Sequence, residues 1–521
     1  MFVISKHISL SSAQSVIPDS QHKRANTENF VELIESLFWD KEYGGYYSTI
    51  SEFTIANDDK LLSSHVAAIF CYLYLYQLTS NDTYLERAHF LIDFVHKHFI
   101  SNITGTYYST MTRNFSSPVF GNGAWEINGV GSIKWSLLYG ITLVRYYSIT
   151  RNSTILSRAI KLFDDIVRLT LDRAYGGLAV LCDIYILCKS PNIQGLFSYF
   201  SYNLYAATKN ETYMKYFWDS LCVLNKMWDN GFHHLYHVDF SVLNSNRFPA
   251  HIMAIASLAY LLAYNLDKNT TYLERGEILI NQTLFYFWDA RFGGYVRVLD
   301  EDFKVLFDSK LTTIQLLTLL SYDFMLSIYD GFSNILKRRI SGLLGLLEHN
   351  IMFSYGLVKD ADRYWNIKLL RFQSIDQFLY AYLVAKYGIT EDNNPPMLID
   401  LKTGSLEGKK LLLIRIIDLE GGVSFIKVRF ENTSVQLVFD DIENIFKAQI
   451  PSDVREIEII AADEYENILN TSLSLPTMPT GTIPEELGID PILLLIIAVE
   501  IVALAIIVVH IRRRSEKKTS Y

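Results

Sequence analysis

The chain has 521 residues, half of them hydrophobic and 20% charged, with 11 prolines and 4 cysteines. This composition excludes a largely disordered, collagen-like or disulfide-dense protein, and the length calls for several domains or one large ring with an appendage. The net charge is −9, and five of the ten residues from Arg512 to Tyr521 are basic, so the body is more acidic than the whole. An acidic body lacks the clustered cations that phosphate binding needs, which sets nucleic acid aside.

The N-terminal segment, residues 1–28, contains no apolar run of secretory-signal length. From residue 29 an internal repeat begins. Its landmark is an aromatic or apolar cluster followed by an aromatic turn, generally containing glycine. It occurs at Phe38–Tyr47 (FWDKEYGGYY), His98–Tyr108, Leu169–Leu178, Met227–Tyr236, Phe287–Val296 (FWDARFGGYV) and Asn350–Val358. The spacing, about 60 residues, accommodates two helices and two loops per unit.

Six strongly apolar stretches alternate with these turns: Leu61–Thr79, Glu126–Thr150, Gln194–Thr208, Pro249–Asp267, Lys310–Asp330 and Phe372–Gly388. Each leads into a more amphipathic helix, as in Tyr84–Phe99 and Tyr272–Trp288. Helices apolar on every face are surrounded by other helices, whereas amphipathic ones meet water. Six inner and six outer helices in alternation predict an (α/α)6 toroid over residues 29–392.

Asn393-Asn-Pro-Pro396 ends the helical pattern. Residues 397–474 then show short runs of period-two alternation (LLLIRIIDL, VSFIKVRF, SVQLVFDD, IFKAQI, REIEIIAA), which predict a small Ig-like β-sandwich. Residues 475–490 read as a stalk. Pro491–Ile511 is an apolar run of 21 residues with the single acid Glu500, long enough as a helix to span a hydrocarbon core of roughly 30 Å.

The basic tail at 512–521 follows at once, which by the positive-inside rule makes the tail cytoplasmic and the large domain extracellular. Export uses either a signal upstream of the given start or the C-terminal helix alone. Glu500, costly in lipid, points to a membrane partner helix or to a tolerated lone acid. Nine N-x-S/T sequons, at Asn81, Asn102, Asn114, Asn152, Asn210, Asn269, Asn281, Asn432 and Asn470, lie on the outer side in this arrangement. The cysteines (Cys71, Cys182, Cys188, Cys222) sit in apolar runs without a CxxC pair, and read as buried small hydrophobes.

Lys60–Phe99, with its TSNDTYLERA turn, resembles the N-acylglucosamine 2-epimerase family, and the two FWD turns resemble that family's WD-x-x-x-GG-aromatic turns. More broadly, Asn29 to Gly388 is similar to the six-hairpin glycosidase-like toroids. The resemblance implies sugar chemistry at the toroid mouth. The family's Pro-Gly-His-x-x-Glu motif matches Pro249-Ala-His251-Ile-Met-Ala254, which keeps the histidine and lacks the acid. Its second His-x-Glu corresponds to Ile375 and Gln377. Two-base epimerisation needs both members of such a pair.

The expected catalytic residues are therefore His251, Glu126 at the opening of the second inner helix, and Asp376 on the sixth. A pair of carboxylates across the mouth suits glycoside hydrolysis, while Glu126 alone would merely serve its helix N-terminus. His65, Trp125, Lys310, Trp365 and Arg371 are expected at the substrate, with Tyr46, Tyr47 and Tyr295 among the mouth aromatics. His233, His234, His237 and Asp239 form the one histidine cluster, which a substituted turn explains more simply than zinc. No P-loop, Rossmann or GxSxG fingerprint occurs, and no cofactor or metal is expected. The reading is a surface carbohydrate-active protein, hydrolase or isomerase, or else a non-catalytic toroid binding a glycan or a protein.

Overall fold

The computed structural model describes residues 20–475, apart from 52–53, 120–129, 184–185, 247–249, 354–355, 368, 390–393, 407–408 and 432. The stalk, the apolar segment 491–511 with Glu500, and the basic tail lie outside the described residues, as do Trp125, Glu126 and Asn432. Among the described residues no helix is long and apolar enough to cross a membrane.

Twelve α-helices form the body. The inner six are α2 (Leu62–Thr79), α4 (Val130–Thr150), α6 (Pro191–Thr208), α8 (Ala250–Asp267), α10 (Thr312–Leu326) and α12 (Ser374–Tyr387). Each inner helix packs against the next, and α12 packs back on α2, which closes the ring. The outer six are α1 (Ser20–Phe38), α3 (Asp82–His98), α5 (Ser153–Thr170), α7 (Glu211–Lys226), α9 (Thr270–Asn281, continued by a π-helical turn at Gln282–Tyr286) and α11 (Ser333–Ile351). Helix α1, which begins ahead of the expected toroid boundary, fills the outer position beside α12, with Phe30 edge-on to Tyr380.

The chemistry of each set follows its position. Helix α8 (AHIMAIASLAYLLAYNLD) buries every residue from Ala250 to Ala263, so no polar face is needed. Helix α5 instead buries Ile155, Ala159, Leu162, Phe163 and Ile166, a stripe at helical spacing, and gives its other side to water.

Four inner-to-outer connections share one device. Ser80, Arg151, Lys209 and Lys268 adopt positive φ, and the next residue, an asparagine, caps the outer helix. Asn81, Asn152, Asn210 and Asn269 each accept the backbone N–H two residues on. The asparagine N–H is accepted in turn by Thr79, Thr150, Thr208 or Asp267. Four of the nine sequons are thus helix caps, which explains their recurrence independently of glycosylation. The eight within the described residues are all exposed or half-exposed.

The turns at the other end carry short β-hairpins that sequence reading took for loops, such as Tyr47–Ser51 with Thr54–Leu61 and Val180–Asp183 with Ile186–Lys189. Polar runs such as TIANDDKL are half-exposed ribbons without the apolar alternation that marks a core strand. Cys182 and Cys188 bridge the second ribbon. This corrects the expectation of four unbridged cysteines: antiparallel pairing brings the two Cα atoms to 5.9 Å, within disulfide reach. Cys71 is free and buried, and Cys222 free and exposed.

Residues 397–474 form two antiparallel four-stranded sheets. One runs Met397–Leu406, Lys409–Ile417, Ile445–Ile450, Val438–Asp440; the other Thr433–Gln436, Val423–Phe430, Glu456–Asp463, Ile468–Ser474. Alternate residues such as Leu412, Ile414 and Ile416 are buried. The strand at 468–474 alternates half-buried Leu469, Thr471 and Leu473 with exposed positions, a short run that the sequence pattern missed.

This module docks on the fifth turn. The Val423 amide donates to the Ala290 carbonyl at 3.0 Å, and Asn444 brackets the turn, accepting from the Ala290 amide and donating to the Trp288 carbonyl. Beside it Arg339, wholly buried with its guanidinium over the Trp288 ring, donates to the carbonyls of Leu284, Asp418 and Leu419.

Candidate functional site at the toroid mouth

The inner helices all begin beneath the aromatic turns, and one polar side chain near the start of each of five ties it to the turn outside it. Gln194 accepts the Leu178 amide at 3.1 Å and donates to its carbonyl at 2.7 Å. Gln315 does the same for Tyr295, and Gln377 for Leu357. Ser136 accepts from the Tyr107 amide. In the first hairpin His65 takes this part, its Nε2 accepting the Tyr46 amide while Nδ1 meets the Leu61 carbonyl.

Expected at the substrate, His65 is instead a wall residue. Burial pushes its pKa down to about 3, so it stays neutral. The fit needs glycine: a Cβ on Gly45 would lie 2.9 Å from His65 Nε2, and one on Gly177 2.8 Å from Gln194 Oε1, both at positive φ.

A second repeat fixes the turns. Asp40, Asp172 and Asp289 each accept two amides of their own turn. Each also pairs with a lysine five residues before the wall residue: Lys60 at 3.0 Å, Lys189 at 2.7 Å and Lys310 at 3.7 Å. All three lysine side chains are fully buried. Lys310 is therefore a turn lock rather than the expected substrate residue. Trp365 lies over it at 4.4 Å and spends its indole N–H on the Phe292 carbonyl, so that ring too is structural.

Tyr46 and Tyr295 are wholly buried and fold back under their turns against Trp39 and Trp288. Tyr47 stays near the mouth, with the Lys60 ammonium over its ring. Arg371 is exposed on the rim. The histidine cluster is divided: His233 is bound to Ser245 and Asp229, and no metal-holding group occurs among the described residues.

Helix geometry identifies what faces the axis. A step of two residues turns a helix by about 200°, so the residue two before each wall residue points away from the turn, toward the ring axis. These positions are Ser63, Lys134, Asn192, Thr313 and Ile375. Helix α8 starts one residue before His251, as α2, α6, α10 and α12 start one before their axis residues, which makes His251 the sixth.

Two of these six residues, and one neighbour, have polar atoms without partners. His251 is 6% exposed and its Nδ1 has no hydrogen bond; Asn192 is 3% exposed and its Oδ1 has none. Beside Ile375, the wholly buried Asp376 accepts the Thr313 hydroxyl at 2.6 Å on Oδ1 and leaves Oδ2 free. Burial raises its pKa to about 7, partly opposed by the Thr313 hydroxyl and the Lys359 charge. Burial, reinforced by Lys134 and then His234, holds His251 well below the usual imidazole range, so it is neutral. Burial alone lowers Lys134 to about 8. The mouth thus presents a neutral imidazole, a carboxyl poised near neutrality, an amide and an ammonium, a set able to exchange protons with a polyhydroxylated ligand.

No protein-family model and no curated protein matches the sequence. Solved structures do. D-mannose isomerase superposes with a TM-score of 0.57 at 13% identity, over 72% of this chain and 99% of its own. Cellobiose 2-epimerase from Spirochaeta thermophila gives 0.55 at 12%, over 70% and 96%. The fold the chain shares with these structures is the (α/α)6 toroid. An inactive α-1,6-mannanase of Salegentibacter in complex with α-1,6-mannotriose shares the toroid, with a TM-score of 0.53 at 14% identity, over 70% and 99%.

Of the residues the structure brings to these helix starts, sequence reasoning singles out His251 and Asp376 and does not consider Lys134, Asn192 and Thr313. A signal was present: aligning PNIQGL, TTIQLL and SIDQFL on glutamine gives the register that reveals the axis positions.

Proposed function

We propose that this chain is a carbohydrate-active protein, a hydrolase or an isomerase, that handles a sugar at the axis ring of the toroid mouth. The observation that carries the reading is the free Nδ1 of His251 and the free Oδ2 of Asp376, both buried at helix starts under the mouth. Asp376, poised near neutrality, would exchange the proton, with neutral His251 hydrogen-bonding the reacting hydroxyl and Asn192 and Thr313 holding others. Glu126 remains a proposed further acid at the opening of α4. Exposed Arg371, and Trp125 outside the described residues, are proposed contacts to the sugar.

Anchoring through 491–511, with the large domain extracellular, a cytoplasmic tail and a membrane partner at Glu500, belongs to the same proposal. The Cys182–Cys188 bridge supports an oxidising compartment, and the surface exposure of the described sequons suits glycosylation.

A second reading, a non-catalytic glycan or protein receptor, draws on Ala254 and Ile375, which stand where the epimerases carry an acid and a histidine. The test is proton NMR of the full chain with mono- and oligosaccharides, following anomeric signals over time. New signals that vanish in His251→Ala establish the enzyme. Binding without new signals assigns the receptor role.

A further inference from the structure

Lys134, half-buried on α4, differs from the three fully buried lysines of the toroid. Lys60, Lys189 and Lys310 each meet an aspartate at 3.0, 2.7 and 3.7 Å. Among the described residues Lys134 makes no ion pair with an acid, and burial lowers its ammonium pKa. Its recorded contact is the face of Trp135, 4.9 Å away. An ammonium partly withdrawn from water without a counter-ion loses solvation that nothing replaces, and the other three lysines show how this fold ordinarily offsets that cost. At the mouth none of the described acids supplies that charge, which leaves a place for an anion of the ligand.

The neighbouring helices extend the same face. Asn192 on α6 and His251 on α8 occupy the next two axis positions, each more than nine-tenths buried, each with an atom lacking a partner. They add hydrogen-bonding capacity without charge, since the imidazole is neutral. One cation flanked by two neutral polar groups matches one negative charge. Asp376, on the α10–α12 side, offers an anion no counter-charge and repels it when ionised, which fixes the orientation: anionic substituent on the α4–α6–α8 arc, hydroxyls toward Thr313 and Asp376.

We propose that the Lys134–Asn192–His251 arc seats the monoanionic substituent of an acidic sugar, a carboxylate or a sulfate ester. This rests on the carbohydrate reading above and narrows it to a substrate class. The test is calorimetric titration of the full chain in detergent with methyl glucuronoside, methyl galacturonoside, glucose 6-sulfate and methyl glucoside.

The expected result is that at least one uronoside or the sulfate binds about tenfold or more tightly than the neutral glucoside, and that Lys134→Met abolishes this preference while Lys134→Arg retains it. A preference for the sulfate alone would assign the ester, and for a uronoside the carboxylate. Equal affinity for neutral and charged sugars, or a preference that survives in Lys134→Met, overturns this inference and leaves the carbohydrate reading standing. Binding of none of the four overturns both. The wild-type comparison decides even if Lys134→Met fails to fold.

Discussion

Replacing Asp289 by asparagine is expected to cost more stability than replacing its partner Lys310 by methionine, although both break the same contact. The Lys310 ammonium lies 3.7 Å from the Asp289 carboxylate, an attraction of about 4 kcal/mol at an effective dielectric near 20. Lys310→Met forfeits that attraction but also removes an ammonium whose burial costs several kcal/mol. The carboxylate keeps Arg363 at 2.8 Å. The net loss is therefore small, about 1 kcal/mol.

Asp289→Asn instead strands two cations, since Lys310 and Arg363 are 0% and 2% exposed, and breaking a buried pair in this way costs about 3–5 kcal/mol. The double variant relieves part of that repulsion and falls between the two. Urea unfolding of the full chain at pH 7 ranks the three. Equal losses in the single variants would refute the reasoning. So would a Lys310→Met protein of unchanged stability that no longer binds sugar, because Lys310 would then be a ligand residue.

Three further outcomes follow from the same physical terms. Asp376 titrates near 7 when folded and near 3.8 unfolded, so the folded state binds more protons between those values and stability falls as pH rises from about 4 to about 7, by up to about 4 kcal/mol. Asp376→Asn should flatten that slope in denaturation midpoints at pH 4.5 and 8. Arg339→Leu leaves three buried carbonyls without a donor, a loss of about 3 kcal/mol. Limited trypsin digestion should then cut faster between the toroid and the β module. Mass spectrometry of the unreduced, alkylated protein should find one bridge and a single labelled thiol, Cys222, since Cys71 is buried and burial raises its thiol pKa.

Much of the architecture was legible because it rests on periodicity. Uniformly apolar stretches became the inner ring and amphipathic ones the outer, and the change to period two at Met397 marked the β module. Candidate site residues were legible only where a residue type carries chemistry by itself, as at His251 and Asp376.

Lys310 looked like a ligand residue because the sequence does not reveal that Asp289 turns back to meet it. The lysine lies five residues before a wall residue in three hairpins, a spacing that becomes meaningful only once the wall contacts are known. Tyr46 and Tyr295 were hidden for a similar reason, since whether an aromatic after two glycines faces the mouth or the core depends on the turn's closure. Asn192 and Thr313 are ordinary residues in composition, and their place on the axis comes from helix register.

The most direct test of the central claim is saturation-transfer NMR on the full-length protein with a panel of uronic acids, amino sugars and oligosaccharides, repeated on Asn192→Leu and Thr313→Val. If the axis ring is the carbohydrate site, at least one sugar shows transfer in the wild type and loses most of it in both variants, which remain folded. Transfer that is undiminished in both, or absent from the whole panel in the wild type, would contradict the account.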